Sequence, residues 1–556
     1  MLILVRRCLP VLLLPVALLA QNNALLNILQ EELNRNFEIL KKNTDLAPYF
    51  LAYAVTEQET ATVSAGFGAL IASNHRRARI LDITVRVGSP QLDNYHILRG
   101  ELPRFTPGAA FPLDDNPNAA KLILWRETDR AFRAAAQRLI NIKTNKEVVV
   151  AAAEASDDFS QEPAATFAQP PEPVDFDTSD WSRRLRKLSA QFNKYPGILA
   201  SNVTLTIGRE TKYLVTSEGT RLLHGRPYSR ITISAASRAA DGMDLSTFDS
   251  FSAADPKRLP KDSEIRDAID RIARDLKGLI DAPTVEPFVG PAILSGRAAG
   301  VFFHEIFGHR VEGHRLKDES DGQTFAKSLN SPVLPDFISV TFDPTRRQLA
   351  GQDLNGWYQY DDEGVVARRL PLVEKGILKT FLMCRTPIPG IPNSNGHGRR
   401  QPGAEVVARQ SNLLVEASRT VPEAKLKDLL IDELRRQNKP YGLYFQDITG
   451  GFTNTARRGI NAFKVIPLVV YRIYPDGRQE LVRGADIVGT PLASFAKILA
   501  AGDRLDVFNG FCGAESGDVP VAAVSPALLI SEIEIQKKDS GRDRPPLLPA
   551  VPLSVQ

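Results

Sequence analysis

Cysteine is scarce in this chain: Cys8, Cys384 and Cys512 are the three among 556 residues. Cys8 sits inside an apolar N-terminal stretch. The rest of the protein can therefore form at most one disulfide, Cys384–Cys512, and only in an oxidising compartment. An excess of charge is also missing. The 69 Lys and Arg against 65 Asp and Glu leave a formal net charge of +4, and nothing in that balance calls for a nucleic-acid partner. No internal repeat is present. Long apolar runs are absent beyond the N-terminus, where Arg6 and Arg7 precede an almost wholly apolar segment ending at Ala20. That segment contains Pro10 and Pro15 and falls short of the about 20 residues that span a bilayer. Two positive charges, a short apolar core and an alanine before Gln21 predict a secretory signal peptide over 1–20, although Leu18 occupies a position that prefers a small residue. The expectation is a secreted or periplasmic protein with no membrane span after signal removal.

A chain of this length exceeds one hydrophobic core, so at least two domains are expected. Leu26, Leu29, Leu33, Phe37 and Leu40 recur at helical spacing and predict an amphipathic helix over 23–42. Alternating segments follow at 60–71 and 80–87, then a second helix at 121–142. The stretch 154–177 is acidic and Pro/Ala-rich and reads as a surface loop or linker. A short helix at 181–192 precedes strands at 201–207, 211–216 and 229–237. A helix at 263–280 buries Ile265, Ile269, Ile272, Ala273 and Leu276, with Ser263 as a candidate cap. Residues 21–285 thus read as an α+β domain of helices and antiparallel strands. From 286 to 537 short strands and glycine turns dominate, at 338–342, 376–383, 405–415, 462–473 and 527–535. This is read as a mostly β domain built around one helix, with its last strand following a loop that carries Cys512. The fold class is α+β, and the Pro-rich tail 538–556 is expected to be disordered.

Histidine is nearly as scarce, yet three of the seven fall between positions 304 and 314, in Val-Phe-Phe-His304-Glu305-Ile-Phe-Gly308-His309-Arg-Val-Glu312-Gly-His314. Histidine is the commonest metal ligand near neutral pH. A glutamate directly after the first histidine is the zincin arrangement, in which the carboxylate takes a proton from a metal-held water. Here the spacing is HExxxH, one residue longer than usual. Helical residues four apart differ by about 40° and share a face, whereas residues five apart differ by about 140°. Either a π-bulge brings His304 and His309 onto one face, or the helix ends at Gly308 and His309 lies on the following turn. Glycine makes such a distortion cheap. The apolar lead-in 298–303 predicts a buried helix, where two unpaired imidazoles and a carboxylate are costly unless something satisfies them. A catalytic zinc takes three protein ligands. Glu312 and His314 are nearby candidates for the third, and Cys384, His397 and Cys512 are remote ones. Local spacing does not choose among them.

Four blocks in order resemble the TldD/PmbA family of metallopeptidases, also called modulators of DNA gyrase, over 286–537. His304-Glu305-Ile-Phe-Gly308-His309 with Glu312-Gly313 is similar to its HExxGHxxEG block. Tyr360-Asp361-Asp362-Glu363-Gly364 is similar to its DDEG block, and Asn395-Gly396-His397-Gly398-Arg399-Arg400 to its NGxxR stretch. Phe511-Cys512-Gly513 with Gly517-Asp518-Val519-Pro520-Val521 resembles its CGxxGQxVPVG block. The resemblance implies Zn2+ held by His304, His309 and Cys512, with Glu305 as general base, and a TldD-like active subunit. It also implies small or unfolded peptide substrates held through their backbones, and a homodimer or a heterodimer with a PmbA-like paralogue. Gly396, His397 and Gly451 are the candidate substrate-binding residues, since glycine-rich segments allow close backbone approach. Two departures stand out: His314 replaces an expected acidic residue, and the cysteine block reads Cys-Gly-Ala-Glu-Ser-Gly-Asp. The alternative is a non-catalytic, metal-stabilised scaffold or partner subunit. A fourth protein ligand would favour it.

Overall fold

The protein is described here by a computed structural model that covers residues 23–98, 103–145, 156–318, 321, 324–453, 463–489, 495–538, 541, 546 and 548. The predicted signal peptide, nearly all of the C-terminal tail and residues 154–155 lie outside the described residues. Among the described residues, no helix is long and apolar enough to cross a membrane.

The N-terminal sheet is built from long antiparallel strands: β1 (Pro48–Gly66), β2 (Ala69–Ser89), β4 (Ala200–Thr216) and β5 (Arg221–Arg238), in the order β2-β1-β4-β5. The short β3 (Thr166–Ala168) and β6 (Asp244–Ala253) both pair with β5. Side chains alternate along a strand, and that alternation assigns the two faces. Val55, Val63, Val203, Leu205, Ile231 and Ile233 point to one side and are buried. Four helices cover that side: α1 (Ala24–Asn43), α2 (Pro117–Thr144), α3 (Ser179–Ser189) and α4 (Asp262–Asp281). The opposite side carries Phe50, Ala52, Leu214 and Leu222, packed with Phe159 and Tyr360, together with the polar Glu210, Lys212, His224 and Arg226. This second face looks towards the C-terminal half of the chain.

The C-terminal sheet is organised on β15 (Gly517–Lys537), whose middle, from Val521 to Ile530, is a run of buried residues. A strand buried on both faces reads as continuous apolar sequence rather than alternation. β15 pairs with β13 (Ala485–Gly489), β13 with β12 (Phe463–Ile473), β12 with β11 (Gly442–Thr453), β11 with β7 (Phe288–Leu294), and β7 again with β15. Hydrogen bonding therefore closes this set of five into a ring. β14 (Ile498–Ala514) forms a hairpin with β15. On the other side β10 (Asn412–Ala417) runs parallel to β15 and leads to β8 (Ile338–Phe342) and β9 (Leu370–Glu374). The helix α5 (Gly296–Ile306) lies against β15, β11 and β14, buried over its length except at Arg297. A further helix, α6 (Lys425–Gln437), packs outside the sheet on Ile293 and Leu529.

The α+β class agrees with the reading from sequence, and several element boundaries do not. The strands read at 201–207 and 211–216 are the single β4. Gly208 does not interrupt it, because the Tyr228 ring covers that position within 2.1 Å of where a Cβ would stand. The segment read as a surface loop is a strap over its described part. It contributes β3, and Phe159 is buried between the guanidinium groups of Arg86 and Arg385, 3.8 and 3.9 Å from the ring centre. The α4 start is closed by Glu264, whose carboxylate accepts from the Lys261 N–H at 2.9 Å, so Ser263 is not the cap. The strand at 376–383 shrinks to Ile377–Leu378, and 405–415 divides into Val407–Ala408 and β10. The sequence reading contains neither α6 nor the strands β7, β9, β11, β13 and β14. β14 carries Asp503, Arg504 and Asp506, and its pairing with β15 is irregular between Ala501 and Leu505, which erases the period-two pattern.

Phe302 on α5 is fully buried, with the rings of Phe463 and Phe495 6.2 and 5.7 Å away. Phe302→Ala should cost about 3–5 kcal/mol, seen as a lower denaturant midpoint by far-UV circular dichroism. An unshifted midpoint would mean that α5 is not part of the stabilising core.

Candidate metal centre

α5 starts at Ser295, whose hydroxyl accepts the Ala298 N–H at 3.1 Å. It is apolar on nearly all sides, as a helix enclosed by strands must be. Regular helix stops at Ile306. Phe307 still donates to the Phe303 carbonyl at 3.0 Å, and Gly308–Val311 forms a 3-10 turn. Of the two ways to bring His309 round to His304, the chain uses helix termination rather than a π-bulge. The glycine at 308 has a steric cause. A Cβ there would fall 2.0 Å from Gln410 Oε1, and Gln410 Nε2 donates to the His304 carbonyl at 3.1 Å.

The two imidazoles stand edge to face with centroids 5.2 Å apart. Cys512 reaches them from the end of β14, with Sγ 3.3 Å from His309 Nε2. One ligand atom from each of His304, His309 and Cys512 lies within 4.8 Å of the others, and all three residues are buried. Ligand atoms arranged tetrahedrally at zinc bond lengths of about 2.0–2.3 Å sit roughly 3.3–3.8 Å apart, so a small contraction would close the set on an ion. Burial opposes a thiolate at Cys512, but the facing His309 and His304 rings hold it well below the usual thiol range. Reciprocally, burial opposes an imidazolium at His309, and Cys512 and Glu312 outweigh it. A bound cation would take over the thiolate and require neutral imidazole.

Behind His309 lies a wholly buried charge cluster. Glu312 Oε2 meets His309 Nδ1 at 3.2 Å and accepts from Arg315 Nε and Nη2 at 2.9 and 2.8 Å. Its other oxygen faces Arg409 Nε at 3.5 Å. Burial pushes the Glu312 carboxyl up, but His309 and Arg315 more than offset it and bring it down to about 2. Arg409 is fully buried and binds the Cys512 carbonyl, Ser516 Oγ at 2.7 Å and the Gly517 carbonyl at 2.9 Å. The ligand face opens on a cavity of about 360 Å³ whose lining includes Glu305, Gly450, Gly451, Phe511 and Glu515. The Glu305 carboxylate takes no hydrogen bond from the described residues.

The structure thus gathers His304, Glu305, His309, Cys512 and Gly451. It separates the other candidates. His397 has no exposed surface. Its ring nitrogens meet Asn395 Oδ1 at 3.0 Å and Ser411 Oγ at 3.2 Å, burial lowers its pKa to about 3, and the residue does not line the cavity at Cys512. Gly396 is a turn glycine (φ +79°) whose Cβ would strike the Val366 carbonyl. Glu312 is not a ligand but a partner of His309's second nitrogen. His314 is paired with Glu515, which also accepts from Arg315 Nη2 at 3.0 Å. The two departures from the motif blocks therefore face one another. Cys384 and Cys512 are both free, and burial raises the Cys384 thiol to about 12. Cys512 lies on a strand, not on a loop. Sequence reasoning missed Arg409 and Gln410. Their one signal is a polar run, Arg-Gln-Ser-Asn, leading into an apolar strand.

Residues 289–537 match a family described as the PmbA/TldA metallopeptidase C-terminal domain. A metalloprotease of Archaeoglobus fulgidus is 29% identical over 272 residues, 48% of this chain and 58% of its own length. A zinc metalloprotease TldD homolog of Saccharolobus solfataricus is 23% identical over 268 residues, 48% and 54% of the two chains. This chain spans about half the length of the curated relatives it matches. Among solved structures, TldE from Thermococcus kodakarensis superposes with a TM-score of 0.63 at 14% identity, over 92% of this chain and 100% of that one. A putative modulator of a DNA gyrase from Thermotoga maritima gives 0.60 at 16% identity, over 91% and 99%. At such identities the likeness is one of fold.

Carboxylates that orient a ligating histidine typically contribute about 10–100-fold to metal affinity. Glu312→Gln should weaken zinc binding by that amount in competition with a chromophoric chelator. Unchanged affinity would leave Glu312 as a structural counter-ion alone.

Proposed function

We propose that this chain, which belongs to the TldD/PmbA family through residues 289–537, is a zinc-dependent peptidase. The observation that carries the reading is the convergence of His304, His309 and Cys512 on a cavity that Glu305 also lines. Two imidazoles and a thiolate suit a borderline-soft ion such as Zn2+. Three ligand atoms meet among the described residues, and Glu312 and His314 are engaged elsewhere. A structural zinc is closed by four protein ligands, whereas a catalytic one keeps a position open. That favours an enzyme over a metal-stabilised scaffold.

When bound, zinc would supply a Lewis acid for a carbonyl oxygen and bring the pKa of a water to near neutrality. The chain's own residues do the rest. Glu305 accepts the proton of the attacking water and passes it to the leaving amine. Glu312 keeps His309 oriented and fixes which ring nitrogen faces the cavity. The wall at 449–453, with Gly450 and Gly451, lets an extended peptide backbone come close. The substrates are small or unfolded peptides, as the resemblance to the family implies, and the open cavity of about 360 Å³ has room for a segment of extended chain. The protein acts outside the cytoplasm after removal of residues 1–20, as a homodimer or with a PmbA-like paralogue.

Glu305→Gln should reduce peptide cleavage by about 10²–10⁴ while zinc content stays near that of the wild type. His304→Ala, His309→Ala and Cys512→Ala should lose metal and activity together. Elemental analysis alongside a peptide-library assay reads both. Full chelator-sensitive activity in Glu305→Gln would remove Glu305 from the mechanism. A tightly bound zinc without cleavage of any peptide, alone or with a paralogue, would replace the enzyme by the scaffold.

A further inference from the structure

The metal cavity is not isolated. Phe511, next to the ligand Cys512 on β14 and 54% exposed, lines it and also lines two further cavities of about 470 and 390 Å³. These two share Arg226, Tyr228, Trp357 and Gln359 and so form one cleft. The cleft runs between the helix-free face of the N-terminal sheet and the C-terminal loop around Asn355 to Asp362.

Seven cations line this cleft, and three of them pair with a carboxylate. Lys212 lies 2.5 Å from Asp362 and 3.5 Å from Glu210, Arg258 3.0 Å from Asp353, and Arg400 3.7 Å from Asp82. Arg399 is occupied by the Gln410 and Pro520 carbonyls, at 2.6 and 2.8 Å. Arg230 binds Ser250 Oγ at 2.9 Å and Arg347 lies over the Trp357 ring, 4.1 Å from its centre, so neither meets a carboxylate. Arg226, which lines both cavities, is likewise without one: its bonds go to the Asn355 backbone carbonyl and, at 3.5 Å, to Asn355 Oδ1, and among the described residues no carboxylate lies within ion-pair distance. Glu210 stands opposite Arg226 across the strand pair and favours its charge, but its carboxylate is paired with Lys212 and lies beyond ion-pair distance of Arg226, which leaves the guanidinium fork open to a second anion. Asn355 also ties Arg226 to the ligand strand, since its N–H is received by Asn509 Oδ1 at 2.8 Å and its Nδ2 donates to the Gly510 carbonyl at 3.0 Å. The cation is thereby positioned from the strand that holds Phe511 and Cys512.

We propose that this cleft is a carboxylate-binding subsite, in which Arg226 receives a carboxylate of the peptide held at the metal centre and Phe511 supports the chain that connects the two. The proposal rests on the peptidase reading. The carboxylate has two sources, the peptide's own C-terminus or an acidic side chain near it, and both present the same planar anion to the guanidinium fork.

The test uses the full-length, zinc-loaded protein and three versions of one cleavable peptide: free acid, C-terminal amide, and amide with a glutamate near the C-terminus. KM and kcat are measured for wild type, Arg226→Gln and Arg226→Lys. Binding of the same labelled peptides to the Glu305→Gln protein is followed by fluorescence anisotropy. A charge-assisted contact predicts a KM for the amide about 10- to 100-fold above that of the acid, with kcat little changed. Arg226→Gln should abolish the difference and Arg226→Lys should keep part of it. Recovery by the glutamate-bearing amide identifies a side chain as an acceptable source, and no recovery identifies the C-terminus. Equal KM for all three peptides in wild type, or discrimination that survives in Arg226→Gln, overturns the subsite. If the wild type cleaves nothing, the peptidase reading fails and anisotropy still decides the subsite. If Arg226→Gln does not fold, Arg226→Lys serves instead: a reduced discrimination supports the subsite, and discrimination equal to that of wild type overturns it.

Discussion

The contact between Glu312 and Arg409, wholly shielded from water, joins the two pieces of chain that carry the candidate metal ligands. Glu312 belongs to the turn that ends α5 and holds the second nitrogen of His309. Arg409 precedes β10 and grips the β14–β15 hairpin through the carbonyls of Cys512 and Gly517 and the hydroxyl of Ser516. Breaking a buried pair by removing one partner leaves a charge in a low-dielectric interior, which is far more costly than the pair is stabilising. The arrangement therefore sets geometry more than it adds stability. It fixes where the thiolate sits relative to the imidazoles, and Arg315 extends it to Glu515 at the rim of the cavity.

Around that cluster the fold divides its labour. The ring of strands β15, β13, β12, β11 and β7 closes on itself and needs no further edge pairing, and α5 is seated against it. The N-terminal sheet spends one face on four helices and presents the other towards the C-terminal half. Its alternating residues make that second face partly apolar, where Phe50 and Leu222 meet Phe159 and Tyr360, and partly ionic, where Lys212 meets Asp362. The ionic part leaves room for a cleft that reaches the cavity of the candidate metal centre at Phe511. The strap with Phe159 sandwiched between Arg86 and Arg385 binds the halves of the chain together, a cation–π arrangement that gains when desolvated.

A shared fold does not carry an activity. The superposable structures are 14–16% identical to this chain, and their likeness says only that this architecture recurs. Any chemistry here rests on three donor atoms, a carboxylate beside them and an open cavity. The His314–Glu515 contact shows how much a local departure from a motif can be compensated by another. Two residues that look anomalous one at a time are a single pair in space.

The sequence by itself determined the parts whose signals are local. The amphipathic α1 and α4, the buried apolar helix α5, and the α+β class follow from periodicity within a few residues, and the HExxxH spacing requires a π-bulge or a helix end near Gly308 without choosing between them. The quartet His304, Glu305, His309 and Cys512 was legible because the blocks resemble a family, and not because spacing alone selects Cys512 over Cys384 or His397. The tertiary structure decided the rest. Residues 203 positions apart meet at Cys512 and His309, Glu312 proves a holder of His309 and not a ligand, His397 is sealed in the core, and Arg409 and Gln410 turn out to support the site. Those outcomes depend on how β10, β14 and β15 pair across long stretches of chain, and on which buried charges find one another. Pairing and burial are properties of the packed whole, and no short window of sequence encodes them.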